Sequence, residues 1–104
     1  DLFKAEQKNS KVDVNNIIKE VGAYYDVSVA DILSKKRKKN IAYARQVAMF
    51  LTRELTGSSF PKIGEAFSGR DHTTIMHGCE KIEKELKESD ELKKAISDLK
   101  QVLS

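Results

Sequence analysis

The spacing of the apolar residues restricts this chain more than any other feature of its sequence. From residue 13 onwards, apolar side chains recur every three or four positions, and no segment alternates apolar and polar residues with a period of two. The first spacing places apolar side chains on one face of an α-helix, whereas the second is typical of a half-buried strand. The sequence therefore predicts a compact all-α domain of about five to six helices over residues 13–104.

Short polar side chains mark where these helices begin, because they accept hydrogen bonds from the first helical amides. The candidate N-caps are Asp13, Ser28, Asn40, Ser59, Asp71 and either Ser89 or Asp90. Gly57 suits the end of the helix that follows Asn40. Residues 1–12 are polar and lack a sustained apolar stripe, so we expect them to be a linker.

Positive charge is concentrated in the middle of the chain. The formal net charge is +3, but residues 35–62 contain eight basic side chains and one acidic side chain. Five of the cations are consecutive, from Lys35 to Lys39, and their mutual repulsion favours an exposed loop. A local positive excess is the electrostatic footprint of a protein that binds a polyanion. For a charge run taken alone, a solvated loop without a ligand is the alternative.

Residues 59–85 predict a helix-turn-helix, in which a short helix, a turn around Gly69 and a second amphipathic helix follow one another. The N-terminal residues of the second helix of such a unit contact base edges in the major groove. Here they are Asp71, His72, Thr73 and Thr74. A carboxylate, an imidazole and a threonine methyl can each read a base edge. The alternative is that Asp71 only caps the helix and the threonines face water.

The cationic loop offers a second contact with DNA. Such a loop can bind phosphates, and its one arginine, Arg37, can enter an A/T-rich minor groove. Arg45, Arg53 and Lys62 are further candidates for phosphate contacts, with ordinary exposed helix residues as the alternative. The loop and the second helix together predict simultaneous contacts to adjacent grooves.

Enzyme-like patterns in the sequence are incomplete. Residues 64–71 have the glycine spacing of a P-loop, but arginine and aspartate replace its lysine and its hydroxyl residue. His72 and His77 are five residues apart and point to different sides of one helix, so with Cys79 they do not complete a zinc site. We expect neither catalysis nor a metal in this domain, and we expect Cys79 to lie in the core. The single cysteine suits a reducing compartment, and no apolar run is long enough to predict membrane insertion.

The stretch GRDHTTIMHGCEKI, residues 69–82, resembles the signature of the DnaA family, the bacterial chromosomal replication initiators. Ala42–Leu51 and Glu54–Thr56 resemble the helix that precedes the family's helix-turn-helix, and Ser59–Gly64 resembles its first helix. The resemblance covers residue 13 to the C-terminus, which corresponds to the family's C-terminal DNA-binding domain. Two positions depart from common family forms: Ser68 replaces a frequent glycine, and Tyr43-Ala44 stands where some members carry Arg-Pro.

The resemblance implies specific binding of double-stranded DnaA boxes, of the form TTATNCACA, at the replication origin. It implies that Arg37 reads the minor groove, that Asp71, His72 and Thr73 read the major groove, and that Pro61 lies among the base-contacting residues. Together with the charge pattern, it gives a set of residues expected to contact the DNA backbone. They are Lys35, Lys38, Lys39, Arg45, Gln46, Arg53, Lys62, Thr74 and His77.

The family as a whole is an ATP-dependent, oligomerising initiator. The resemblance implies that ATP and further initiator protomers are bound by other domains, that this domain holds no cofactor, and that residues 1–12 lie near a junction. It also implies a location in the bacterial cytoplasm, at the nucleoid. One other function stays open from the residues alone, a protein-interaction module whose helix-turn-helix face meets an acidic protein. A second alternative, a phosphate-handling enzyme, would need a metal or nucleotide site that these residues do not supply.

Overall fold

The structure is a computed structural model that describes residues 12–104, and within that range it contains six helices and no strand. The helices are α1 (Val14–Tyr25), α2 (Val29–Leu33), α3 (Lys39–Thr56), α4 (Phe60–Ala66), α5 (His72–Leu86) and α6 (Asp90–Leu103). The all-α prediction is therefore confirmed. The linker predicted for residues 1–12 lies, apart from Val12, outside the described residues.

Most of the predicted helix ends form as expected. Four N-caps accept a hydrogen bond from the amide three residues further on, and they are Asp13, Ser28, Ser59 and Ser89. Gly57 ends α3 with a left-handed backbone, φ 67°, which glycine adopts without strain.

The cap predicted at Asn40 is wrong, because α3 begins at Lys39, two residues before the predicted start at Ile41. Lys38 occupies the N-cap position, and its carbonyl accepts a hydrogen bond from the amide of Ala42 at 2.8 Å. Lys39 therefore lies in the first turn of α3, and the loop between α2 and α3 consists of residues 34–38. We call this segment the basic loop.

Helix α3 is the central support of the fold, because it packs against α1, α2, α4 and α5. Val47, Ala48 and Leu51 of its predicted apolar stripe are fully buried. Helix α6 closes the structure by packing against α1 and α5 through the predicted stripe of Leu92, Ile96, Leu99 and Leu103.

Cys79 lies on the inner face of α5 with 7% of its surface exposed, as the sequence predicted. Burial raises the pKa of its thiol to about 11. A thiol with so high a pKa is protonated at neutral pH, so Cys79 acts as a small apolar side chain of the core.

Helices α4 and α5 form the predicted helix-turn-helix, and Gly64 makes its tight turn possible. The amide of Arg70 donates to the carbonyl of Gly64 at 2.9 Å, which folds the turn back onto α4. A Cβ at Gly64 would lie 2.2 Å from the carbonyl oxygen of Arg70. Only glycine therefore allows α4 and the start of α5 to approach this closely.

Replacing Gly64 with alanine should destabilise the domain by roughly 1–3 kcal/mol, because backbone atoms must move to admit the Cβ. Gly78→Ala is the matched control, since its Cβ would meet only the flexible side chains of Gln46 and Met49, at 3.4 Å each. Urea unfolding of both variants measures the difference. Equal stability of the two variants would show that the turn tolerates the displacement.

Candidate nucleic-acid interface

The basic loop and the start of α5 line one open concavity of about 330 Å³. Lys35 and Arg37 contribute from the loop, and Asp71 and Thr74 contribute from the start of α5. Arg45, Ser68, Gly69 and Arg70 complete the lining. The fold thus brings together two segments that lie more than thirty residues apart in the sequence. We call this concavity the basic cleft.

Asp71, His72 and Thr73 form a connected polar cluster at the start of α5. The Thr73 hydroxyl donates to the Asp71 carboxylate at 2.7 Å, and His72 Nδ1 lies 3.2 Å from the same group. Asp71 and His72 are exposed, and Thr73 is half-buried. Asp71 occupies the N-cap position, but its side chain makes no capping hydrogen bond. The hydrogen bond from Thr73 is the main cause of a lowered pKa for the Asp71 carboxyl.

Arg45 does not have the exposed position that the sequence analysis expected. It is 7% exposed, and its guanidinium donates to the carbonyls of Asp31 at 3.0 Å, Ile32 at 2.6 Å and Ser34 at 2.9 Å. Helix α2 has only five residues, so its last carbonyls have few amide partners within the helix, although that of Asp31 also accepts from the amide and the hydroxyl of Ser34. Arg45 supplies further donors to them. Arg45 is therefore a structural residue that holds α2 and the basic loop against α3, and its phosphate contact stays a prediction.

Arg70 and Ser68 are site residues that the sequence reasoning missed. One guanidinium nitrogen of Arg70 donates to the Ser34 carbonyl, which also accepts from Arg45. The Ser68 hydroxyl donates to the Leu33 carbonyl at 2.7 Å. Both bonds link the helix-turn-helix turn to a segment about 35 residues earlier, so no local pattern in the sequence indicated them.

Ser68, one of the two departures from the family pattern, adopts a left-handed backbone with φ 67°. This conformation explains why glycine is common at the position, since it is strained for residues with a Cβ. The hydrogen bond to Leu33 compensates, because it gives the serine a contact that glycine lacks.

Tyr43, at the other departure, has a role in packing. Its hydroxyl donates to Glu85 at 2.8 Å, and its ring meets the ring of Tyr25 edge to face, with centroids 5.6 Å apart. Burial is the main cause of a raised pKa for the Tyr43 hydroxyl, followed by its hydrogen bond to Glu85. Tyr43 thus joins α3 to α1 and to the end of α5, and Ala44 beside it is fully buried.

The remaining predicted contact residues of α3, α4, α5 and the basic loop do not line the basic cleft. Those that are exposed are Lys38, Lys39, Arg53, Pro61, Lys62 and His77. Gln46 is half-buried on the α3 surface that faces α5, near Gly78. Arg53 lies over the ring of Phe60, 4.3 Å from its centroid, and donates to the Ser58 carbonyl at 2.7 Å. Arg53 therefore joins the end of α3 to the start of α4, whether or not it also contacts the DNA backbone.

Two further observations concern only the described part of the chain. Residues 12–104 contain no group of three or more His, Cys, Asp or Glu side chains placed to hold a metal ion. None of the six helices combines the length and the apolar character needed to cross a membrane.

A helix-turn-helix whose second helix starts beside a cationic cleft defines a DNA-binding domain of the helix-turn-helix class. The family model described as bacterial dnaA protein helix-turn-helix matches residues 14–82. The chain therefore belongs to the bacterial DnaA helix-turn-helix family.

A solved structure described as a DNA replication initiation factor is similar to this chain, with 38% sequence identity and a TM-score of 0.76. The similarity covers 98% of this chain and 31% of that protein. This chain therefore spans about a third of the length of the initiation factor.

Replacing Thr73 with valine should raise the pKa of Asp71 towards its ordinary value, because the carboxylate loses the hydroxyl that stabilises its charged form. A ¹³C NMR titration of the carboxyl carbons measures the change. Thr74→Val serves as the control, because it leaves the Thr73 hydroxyl in place. An unchanged Asp71 pKa in Thr73→Val would show that the hydrogen bond does not persist in solution.

Proposed function

We propose that this domain binds double-stranded DNA at boxes of the form TTATNCACA and thereby takes part in the initiation of chromosomal replication. The N-terminal end of α5 enters the major groove, where Asp71, His72 and Thr73 contact bases. Arg37 of the basic loop enters the adjacent minor groove at the A/T-rich end of the box. Nucleotide binding and contacts between initiator protomers belong to other parts of the initiator, and the domain acts in the bacterial cytoplasm, at the nucleoid.

The observation that carries this proposal is the shared lining of the basic cleft. Arg37 and Asp71 line the same concavity, so one duplex lying across it meets the basic loop and the start of α5, the recognition helix, together. The polar cluster at the start of α5 supplies both donors and acceptors for base edges. The exposed Lys35, Lys38, Lys39 and Lys62 supply positive charge for phosphates on either side.

Helix α3 supports the phosphate contacts in a second way. Its first turn contains no acidic residue and begins with Lys39. A cation at a helix N-terminus is unfavourable in isolation, because the helix dipole is positive there. A backbone phosphate near this end is stabilised both by the dipole and by the lysine.

Fluorescence anisotropy with a labelled box duplex and a scrambled duplex of equal composition tests the proposal. We expect the box to bind tighter by roughly three orders of magnitude or more. Affinity for both duplexes should fall steeply as salt rises, since lysine and arginine contacts release counterions. Equal, weak binding to both duplexes would reduce the function to nonspecific electrostatics and favour a protein-interaction module.

His72→Ala should reduce discrimination between the box and the scrambled duplex by about 1–3 kcal/mol, because a base contact is lost. Lys62→Ala should weaken binding to both duplexes by the same factor, because a phosphate contact carries no sequence information. Anisotropy titrations of the two variants at one salt concentration separate these effects. An equal loss on both duplexes for His72→Ala would remove His72 from the base-reading set.

A further inference from the structure

Arg70 lies in the turn between α4 and α5, immediately before the polar cluster that begins with Asp71. We propose that Arg70 is a positioning residue that fixes the basic loop relative to α5, so that the minor-groove and major-groove contacts are made as one rigid unit. The inference rests on the proposed function, and it adds a residue that determines specificity without contacting a base.

Successive carbonyls at the end of α2 are held by side chains from elsewhere in the fold. Ser68 and Arg70, both in the helix-turn-helix turn, donate to the carbonyls of Leu33 and Ser34. Arg45 of α3 donates to the carbonyls of Asp31, Ile32 and Ser34. The start of the basic loop is therefore attached at once to the central helix and to the turn that precedes the recognition helix.

The distance along the chain from this attachment to Arg37 is short. Arg37 is three positions after Ser34, and a chain of that length spans at most about 11 Å. Holding the Ser34 carbonyl therefore restricts where Arg37 reaches. Because Arg70 directly precedes Asp71, its bond to Ser34 couples the position of Arg37 to that of the recognition helix.

The attachment of the Ser34 carbonyl brings two cationic side chains close together. Two guanidinium groups, those of Arg45 and Arg70, converge on one carbonyl, and the Arg70 charge adds to burial in lowering the pKa of Arg45. Within residues 12–104, Arg70 Nε is the one buried side-chain nitrogen or oxygen without a hydrogen-bond partner. An anionic phosphate in the basic cleft reduces the repulsion between these like charges.

A double-mutant cycle tests whether Arg70 acts through Arg37. Arg70→Met keeps an apolar stem of similar reach and removes the guanidinium, and Arg37→Ala removes the minor-groove side chain. Each variant, the double variant and the wild type are titrated with the box duplex and with a duplex whose A/T-rich end carries G·C pairs. The measured quantity is the factor by which the G·C replacement weakens binding.

We expect this factor to fall by on the order of tenfold in Arg70→Met and in Arg37→Ala, with no further fall in the double variant. If Arg70 contacts a phosphate directly, Arg70→Met weakens both duplexes equally and the losses multiply in the double variant. Either that pattern or an unchanged factor in Arg70→Met overturns the proposal. Lys94→Met is the charge-matched control, since Lys94 is 75% exposed on α6 and pairs with Asp98.

Limited trypsin digestion of the free protein provides a readout that needs no DNA, because the basic loop and the first turn of α3 carry five consecutive cleavage sites. We expect cleavage within Lys35–Lys39 to be several-fold faster in Arg70→Met than in the wild type and in Lys94→Met. Equal rates would overturn the proposal. If the wild type fails to distinguish the box from scrambled DNA, the proposed function fails. The digestion still measures whether Arg70 holds the basic loop in place.

Ser68→Gly keeps the test decisive if Arg70→Met does not fold. Glycine suits the left-handed backbone at this position, so the substitution removes only the hydroxyl that donates to Leu33. We expect faster cleavage in the basic loop and a smaller loss of binding on the G·C replacement. Both changes should be smaller than those in Arg70→Met. Thermal unfolding of each variant confirms that the fold is intact. A folded Ser68→Gly that matches the wild type in both assays would overturn the proposal.

Discussion

The carbonyl groups at the end of α2 are the point on which the interface depends. A helix of five residues cannot satisfy its own last carbonyls, and leaving them unpaired near the core would cost free energy. Arg45, Ser68 and Arg70 supply donors from two other parts of the chain. Because the basic loop starts at the last of these carbonyls, the hydrogen bonds that complete a short helix also orient the cationic surface.

The same contacts explain how this small domain concentrates positive charge at the basic cleft and still folds. The buried guanidinium of Arg45 has three carbonyl acceptors, so its desolvation is offset by hydrogen bonds. The cations of the basic loop are exposed, and Lys36 pairs with Asp31 at 2.9 Å. Positive charge therefore collects around the basic cleft, where the polyanion that this class of domain binds can neutralise it.

Helix α3 connects the interface to the core. Val47, Ala48 and Leu51 anchor it, whereas Arg45 reaches the basic loop from the same helix. On the α5 side, Gly78 lets the recognition helix approach the side chains of Gln46 and Met49 closely. The candidate contact residues thus stand on elements held by apolar packing, which limits their motion before DNA arrives.

The sequence by itself determined the six helices, most of their caps and the residue types of the recognition helix, because helical periodicity and capping act over three or four residues. It also placed the cations of the basic loop correctly, whereas Lys39, predicted in the same loop, lies in the first turn of α3. The burial of Arg45 and the roles of Ser68 and Arg70 were decided only by the tertiary structure. Their partners are carbonyl groups, which every residue carries, so no side-chain pattern marks them, and only packing brings residues 31–34 against the helix-turn-helix turn.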